Sequence, residues 1–210
     1  DNETAACALC PAGSYNANEG ATAVGQCILC PMGEYSTTLG ATARSTCLAC
    51  QAGEYADVTG LSACKLCAAG KYNVDAAAVS SASCINCREG TYSGAHGATS
   101  PGTCAACPRG TYSDEAGSIA EANCSACPVG SYGNTTSLGA SNLCLSCAAG
   151  KFSEATGQTS VETCTPCATG KYYQSQRLGS ATGCNACGPG LFSQQQGLVA
   201  ESECDACLRG

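Results

Sequence analysis

The sequence predicts a fold of small disulfide-rich repeats, an elongated rod or solenoid of tandem 20-residue repeats with short β-strands, turns and little helix. Two observations predict it. The chain has 22 cysteines in 210 residues, which is in the range of a disulfide scaffold. Every cysteine belongs to a C-x-x-C pair, and the pairs recur at one constant spacing except for a shorter step between Cys47 and Cys64. A fixed period of this kind is typical of repeat architectures.

The pairs divide the chain into ten predicted repeats and a partial one. Their predicted bounds are 7–26, 27–46, 47–63, 64–83, 84–103, 104–123, 124–143, 144–163, 164–183 and 184–203, with the partial repeat at 204–210. In such an array each repeat is expected to contact mainly its neighbours. Neither end has an atypical capping repeat, and the last motif stops at "CLRG". We therefore expect these residues to be a fragment of a longer array.

When the repeats are aligned on their cysteine pairs, two further alignment columns follow the pairs, one of glycine and one of aromatic residues. A glycine stands three residues after the second cysteine, as Gly13 does after Cys10. It predicts a turn with positive φ, or a close approach by another segment. Proline at Pro11 and in three equivalent places suits the entry to such a turn. The aromatic residue two positions later, Tyr15 in this repeat, is expected to pack against a disulfide or the neighbouring repeat.

A second glycine column predicts a second turn in each repeat. The column is irregular, because Ala77 replaces the glycine in one repeat, and Gly139 and Gly179 stand shifted in two others. Between the turns, runs such as "GTYS" and "SSASC" are short enough to be strands at most. The stretch "VDAAAVSSASC" can form a helical turn, and no segment has sustained helical periodicity.

Composition excludes several function classes. The net charge is −7 and the nine basic residues are scattered, so no nucleic-acid partner is expected, because phosphate binding needs clustered cations. No apolar run approaches the roughly 20 residues of a membrane span, so no membrane insertion is expected in this segment. No catalytic motif is present and His96 stands in a polar loop, so neither an enzyme nor a cofactor is predicted.

Three interpretations of the cysteines compete. Structural disulfides are favoured because aromatic residues make up only 5% of the chain, so one ring per repeat cannot stabilise an ordered repeat without cross-links. Zinc is the second, since two consecutive pairs match the spacing of a Cys₄ site. Eleven equivalent pairs cannot divide into Cys₄ sites, and the chain is acidic. Redox catalysis is the third, but no βαβ pattern accompanies the C-x-x-C motifs.

The favoured pairing joins the second cysteine of one pair to the first of the next. A bond within C-x-x-C would close a strained loop, whereas this pairing encloses the Gly–Tyr stretch. It gives Cys10–Cys27, Cys30–Cys47, Cys50–Cys64, Cys67–Cys84, Cys87–Cys104, Cys107–Cys124, Cys127–Cys144, Cys147–Cys164, Cys167–Cys184 and Cys187–Cys204. A crossed pairing, first to first and second to second, remains open. The favoured scheme leaves Cys7 and Cys207 to pair with cysteines outside these residues.

The recurring string C-x-x-C-P-x-G-x-Y-S, seen as "CPMGEYS" and "CPRGTYS", resembles the cysteine-rich ephrin-receptor-like repeat. That module is similar to tumour necrosis factor receptor and EGF-like modules, whose additional cysteines this sequence lacks. The resemblance covers the whole chain. It implies that cysteines flanking the Gly-x-Tyr stretch pair with each other, which supports the favoured pairing. It also implies an extracellular setting such as the large surface proteins of algae and protists, including flagellar hairs (mastigonemes).

The favoured function is structural: a stalk or filament subunit outside the cell, whose partners are copies of itself, other structural proteins or glycans. The alternative is the ligand-binding or adhesive ectodomain of a surface receptor. A receptor needs unlike repeats where its ligand docks, and the double aromatic Tyr172–Tyr173 is the candidate contact patch. Asn134 and Asn2 stand in N-glycosylation sequons and are the candidate glycan sites.

Overall fold

The computed structural model describes residues 9–18 and 23–207, and in this part of the chain the regular elements are two-residue strands and three-residue 3₁₀ helices, with no α-helix. The first strands of the hairpins are Ser14–Tyr15, Glu34–Tyr35, Glu54–Tyr55, Lys71–Tyr72, Thr91–Tyr92, Thr111–Tyr112, Ser131–Tyr132, Lys151–Phe152, Lys171–Tyr172 and Leu191–Phe192. The second strands are Ile28–Leu29, Leu48–Ala49, Lys65–Leu66, Ile85–Asn86, Ala105–Ala106, Ser125–Ala126, Leu145–Ser146, Thr165–Pro166, Asn185–Ala186 and Asp205–Ala206. The 3₁₀ helices are Val24–Gln26, Arg44–Thr46, Ser81–Ser83, Pro101–Thr103, Glu121–Asn123, Ser141–Leu143, Val161–Thr163, Ala181–Gly183 and Glu201–Glu203. The predicted class of small disulfide-rich tandem repeats is confirmed.

The chain divides into two compact units. The first comprises Asp1–Cys87 and Ser93–Cys104, and the second comprises Arg88–Tyr92 and Ala105–Gly210. Each unit contains several of the repeats. The repeat bounds predicted from the cysteine period stay a prediction.

A two-stranded antiparallel hairpin is the basic element of every described repeat. Thr111 pairs with Ala126 and Tyr112 with Ser125, and the other hairpins have the equivalent register. A turn precedes the first strand, where the N–H of Thr111 donates to the carbonyl of Pro108 over 3.2 Å. Gly110 has a φ of +79°, as the third residue of a type II turn requires. The predicted positive φ is confirmed in all ten described copies of this glycine.

Each 3₁₀ helix lies directly before the first cysteine of a pair. Within "SSASC" the segment Ser81–Ser83 is helical, so the strand interpretation is wrong there, and the predicted helical turn in this stretch is confirmed. The hydroxyl of Ser80 accepts a hydrogen bond from the N–H of Ala82 over 3.1 Å, and this cap favours the turn over an extended chain. The shortened repeat has no such helix before Cys64. Its missing residues therefore remove the helical turn and leave the hairpin unchanged.

The second turn is also left-handed in the nine repeats where the structure describes it, whether or not a glycine occupies it. Ala77, Ser137 and Arg177 have φ values of 57°, 61° and 66°. The interpretation of Gly139 and Gly179 as shifted copies of the turn glycine is wrong, because the turn stays in register two residues before each of them. In the other described repeats the column is occupied by glycines with positive φ, at Gly40, Gly60, Gly97, Gly117, Gly157 and Gly197.

Replacing Ala77 by glycine is expected to stabilise the protein by about 1 kcal/mol, because a side chain disfavours the left-handed conformation. Ala77 is exposed, so its methyl group contributes little packing. Thermal unfolding with the disulfides intact measures the effect. The matched control is Ala82→Gly, which lies in a 3₁₀ helix and should lose about 0.5–1 kcal/mol. Equal destabilisation by both changes would contradict the prediction.

Consecutive repeats join through backbone hydrogen bonds. Within the second unit, the N–H of Ser113 donates to the carbonyl of Leu138 over 3.0 Å, and the N–H of Ser137 donates to the carbonyl of Cys107 over 3.0 Å. Tyr112 and Leu138 form a parallel bridge. The aromatic residues of seven described repeats make such a bridge, and each partner lies at the equivalent position of the next repeat. The first strand of a hairpin thus bonds to the second strand on one edge and to the next repeat on the other.

Contacts also reach the repeat after the next one. A Cβ added to Gly110 would collide with the backbone carbonyl of Gly157, and one added to Gly150 would collide with that of Gly197. The hydrogen that glycine carries in place of a Cβ therefore points at this oxygen, as in a Cα–H···O contact. The first unit has the same arrangement between Gly13 and Gly60. The expectation of contacts mainly between neighbouring repeats is therefore too narrow.

The core consists of cystines, small side chains and a few leucines. In one cluster Tyr112 packs against Cys127, Leu138 and Cys144, and two repeats later Phe152 packs against the three equivalent residues. The predicted packing of the aromatic against a disulfide is confirmed in these two places. The rings are only half-buried, so each covers a cystine from outside.

Candidate functional site

The candidate functional feature is a continuous series of disulfides, here called the disulfide ladder. The structure forms the ten bonds that the sequence favoured, each from the second cysteine of a pair to the first of the next, and not the crossed alternative. Their Cα–Cα distances run from 5.6 to 6.1 Å, within the usual range. Nine bonds have a sequence separation of 17, and Cys50–Cys64 has a separation of 14.

Burial shields this ladder. Eight of the second cysteines, Cys30, Cys50, Cys67, Cys87, Cys107, Cys127, Cys147 and Cys167, have no exposed surface. Thiol–disulfide exchange requires access of a thiolate to the sulfur. Burial of one sulfur in each of these bonds therefore favours a structural disulfide over an exchanging one.

A possible metal-ligand group coincides with one disulfide. Among the described residues, Cys50, Glu54 and Cys64 bring their ligand atoms within 4.8 Å of one another. The two sulfurs are bonded to each other, whereas zinc binds thiolates. This group is therefore a disulfide beside a carboxylate, and its geometry does not favour the zinc interpretation.

The two cysteines left over by the favoured pairing are placed differently. Cys207 is exposed and has no disulfide partner in the described part of the chain. Cys7 lies outside the described residues. The pairing of both with cysteines elsewhere stays a prediction.

The candidate contact patch lies on the surface of the second unit. Tyr172 pairs with Asn185 and bridges to Leu198. Tyr173 packs against Leu178 and the Cys167–Cys184 disulfide, at a position where the other repeats have small residues or asparagine. Both tyrosines are half-buried, so part of each ring supports the fold and part remains accessible. The role of this patch in binding stays a prediction.

Of the two candidate glycan sites, one lies in the described part of the chain. Asn134 is exposed in the loop that follows the strand Ser131–Tyr132. Asn2 lies outside the described residues. The Asn134 side chain is therefore open to solvent, as a glycan site requires.

Sequence reasoning missed two ion pairs in the first unit. The ammonium of Lys65 lies 2.7 Å from the carboxylate of Asp57, across the shortened repeat. This hydrogen bond raises the pKa of Lys65 and lowers the pKa of Asp57. Arg44 and Glu34 form the second pair. Exposed pairs of this kind contribute little stability. Opposite charges close together in the sequence were the available signal, but the contact between them depends on the folded loop.

The comparisons with known proteins agree with this architecture. A family model described as "Tyrosine-protein kinase ephrin type A/B receptor-like" matches residues 1–47, 41–84, 76–124 and 97–143. These matches cover more than half of the chain, so the chain belongs to this family of cysteine-rich ephrin-receptor-like repeats, and the expected resemblance is confirmed. No curated protein matches the chain.

Family and structure together define the class of protein. Tandem disulfide-rich repeats of this family indicate an extracellular or surface protein with a structural or ectodomain role. Within the residues that the structure describes, no helix has the length and apolar character needed to span a membrane.

Proposed function

We propose that the chain is a load-bearing structural segment outside the cell, part of a stalk or a filament subunit. The observation that supports the proposal is the continuity of the disulfide ladder. Only two residues separate the end of one disulfide loop from the start of the next, as between Cys27 and Cys30. A pulling force along the chain therefore passes from one cystine to the next almost without free chain.

The covalent path through the disulfides sets the length that each repeat can reach under a pulling force. From Cys10 to Cys27 the path crosses a Cα–Cα distance of 5.6 Å. The three residue steps from Cys27 to Cys30 add about 10 Å when extended. Each repeat can thus lengthen to about 16 Å, compared with about 70 Å for a 20-residue repeat without the disulfide. The ladder restricts extension roughly fourfold and keeps the interior of every loop out of the loaded path.

Single-molecule stretching tests this property. With handles at both ends of the chain, we expect the oxidised protein to stop extending at about 16 Å per repeat and the reduced protein at about 70 Å. The matched control is the oxidised chain with Cys107 and Cys124 both changed to serine, which should gain the length of one opened loop. Extension of the oxidised chain to the reduced length would contradict the proposal.

The assembly is proposed as homopolymeric or with other structural proteins, because equivalent surfaces recur along a repeat array and suit regular packing. Electron microscopy of native material tests this. Regular fibres that separate under reducing agent would support a filament subunit, and a flagellar hair is one such assembly. Isolated single molecules would instead favour the second candidate, a ligand-binding ectodomain, for which the accessible faces of Tyr172 and Tyr173 are the proposed contact. Neither role requires catalysis or a cofactor.

We propose N-glycosylation at Asn134, with Thr136 completing its sequon. The exposed loop position supports the proposal. We expect mass spectrometry of the protein secreted from eukaryotic cells to show a glycan on the peptide containing Asn134. Thr136→Ala should abolish it, whereas Thr135→Ala, which keeps the sequon, should not. An unmodified Asn134 in the secreted wild-type protein would refute the assignment.

A further inference from the structure

A notch opens on the second unit beside the strand Lys151–Phe152. It has a volume of about 340 Å³, at the lower end of the range for ligand sites. Its lining is mostly apolar, from Phe152, Pro166, Ala168, Ala181 and Cys184, and is completed by Thr165, Gln196 and one cationic residue, Lys171. The notch is large enough for one ring or branched side chain.

Comparison with another repeat of the same unit explains why the notch is open. There the hydroxyl of Tyr92 donates to the carboxylate of Glu121 in the following repeat over 3.2 Å. Burial and this carboxylate raise the pKa of Tyr92, so its hydroxyl remains a donor. Three repeats later the same two positions hold Phe152 and Ala181, which have neither hydroxyl nor carboxylate. Among the described repeats, only this one combines phenylalanine with alanine at these positions.

In the described part of the chain, Lys171 is the only charged residue that lines the notch, and Glu154 is not part of this lining. Lys171 lies in neither of the two ion pairs found among the described residues. The nearby carboxylate of Glu154 accepts hydrogen bonds from the N–H of Ala181 over 3.0 Å and the hydroxyl of Ser180 over 3.3 Å. An apolar notch with an ammonium group complements an apolar group that carries a negative charge.

We propose that this notch binds an apolar side chain of a partner protein with a carboxylate beside it, the side chain against Phe152 and the carboxylate against Lys171. The inference goes beyond the load-bearing role. It concerns one repeat, and its failure would leave the stretching result unaffected.

The probe is N-acetyl-L-phenylalanine, which joins an aromatic ring to a carboxylate, and the readout is the NMR signals of the whole oxidised protein. We expect saturable shifts of the Ala168 and Ala181 methyl signals. The neutral N-methylamide of the same probe, and the variant Lys171→Gln, should each bind about two- to fivefold more weakly, as expected for loss of one exposed charge pair. Lys151→Gln, which removes the lysine at the equivalent position one repeat earlier, is the matched control and should bind like the wild type.

A second variant fills the notch. Phe152→Tyr combined with Ala181→Glu places at these two positions the residue types of the Tyr92–Glu121 pair. We expect this double variant to abolish the methyl shifts. Unchanged amide signals in the other repeats would show that this variant is folded. Equal affinity for the charged and neutral probes, binding that survives filling of the notch, or the absence of shifts at Ala168 and Ala181 would each overturn the proposal. Glucuronate producing these shifts where the amino-acid probe does not would overturn it in favour of a sugar.

Discussion

Reduction of the disulfides is expected to unfold the described part of the chain. Closing a loop of this size stabilises a fold by about 3 kcal/mol, so ten such bonds together exceed the roughly 5–15 kcal/mol of net stability that is typical of a domain. Among the described repeats the aromatic rings are half-buried, and that of Phe192 is exposed, so little other apolar burial can compensate. Circular dichroism and NMR before and after addition of a reductant measure the change. A reduced protein with dispersed native signals would contradict this expectation.

Removal of a single disulfide tests the same prediction within one repeat. Changing Cys107 and Cys124 together to serine is expected to lower local stability by about 3 kcal/mol. Amide hydrogen exchange is the suitable measurement, because repeat arrays open locally. The affected amide is that of Cys127, whose N–H donates to the carbonyl of Gly110 over 2.8 Å. The control is Ser125→Ala at an exposed neighbouring position, which should change stability by less than about 0.5 kcal/mol.

Replacement of Gly110 by alanine is the second prediction with a large effect. The new Cβ would have a left-handed backbone, since φ is +79°, and would also collide with the carbonyl of Gly157 in the repeat after the next one. Either the turn or the contacting loop has to move. We expect a loss of about 3 kcal/mol or more, which combines backbone strain with overpacking.

Gly190 provides the matched control. Its φ is also +79°, but a Cβ added there would meet no atom within 4 Å. Gly190→Ala should therefore cost only the conformational strain, about 1–2 kcal/mol. Hydrogen exchange at Gly157, whose N–H donates to the carbonyl of Cys127 over 2.8 Å, should accelerate in Gly110→Ala and stay unchanged in Gly190→Ala. Equal losses in the two variants would show that the contact between these repeats contributes nothing.

The turns and the disulfide-rich repeat could be predicted from the sequence because residues close together along the chain determine them. The column of Gly110 predicted a left-handed turn, since few other residues adopt that conformation at low cost. The regular period of the cysteines predicted a repeated disulfide-rich element, because a chain with few large side chains needs cross-links. The stretch that contains Ser81–Ser83 was predicted to turn, although the strand interpretation of its last residues was wrong, because the N–H of Cys84 donates to the carbonyl of Ser81 and closes a 3₁₀ turn.

Some of the candidate site residues could be predicted from the sequence, and others could not. The cysteine pairs and Asn134 follow from motif spacing and could be named. The ion pair of Lys65 with Asp57 depends on how the shortened loop closes, which spacing does not report. The notch at Phe152 could not be predicted, because it arises from two missing groups, at Phe152 and at Ala181, which belong to different repeats.

The sequence by itself determined the period, the disulfide-rich class and the position of the first tight turn in each repeat, because each is set by residues close together along the chain. Only the tertiary structure decided that Ser137 and Arg177 adopt the left-handed turn, because their N–H groups donate to carbonyls of the preceding repeat, whichever residue occupies the turn. It also decided that Gly110 faces Gly157. That contact depends on how consecutive repeats pack, and no local pattern encodes a distance between residues so far apart in the chain.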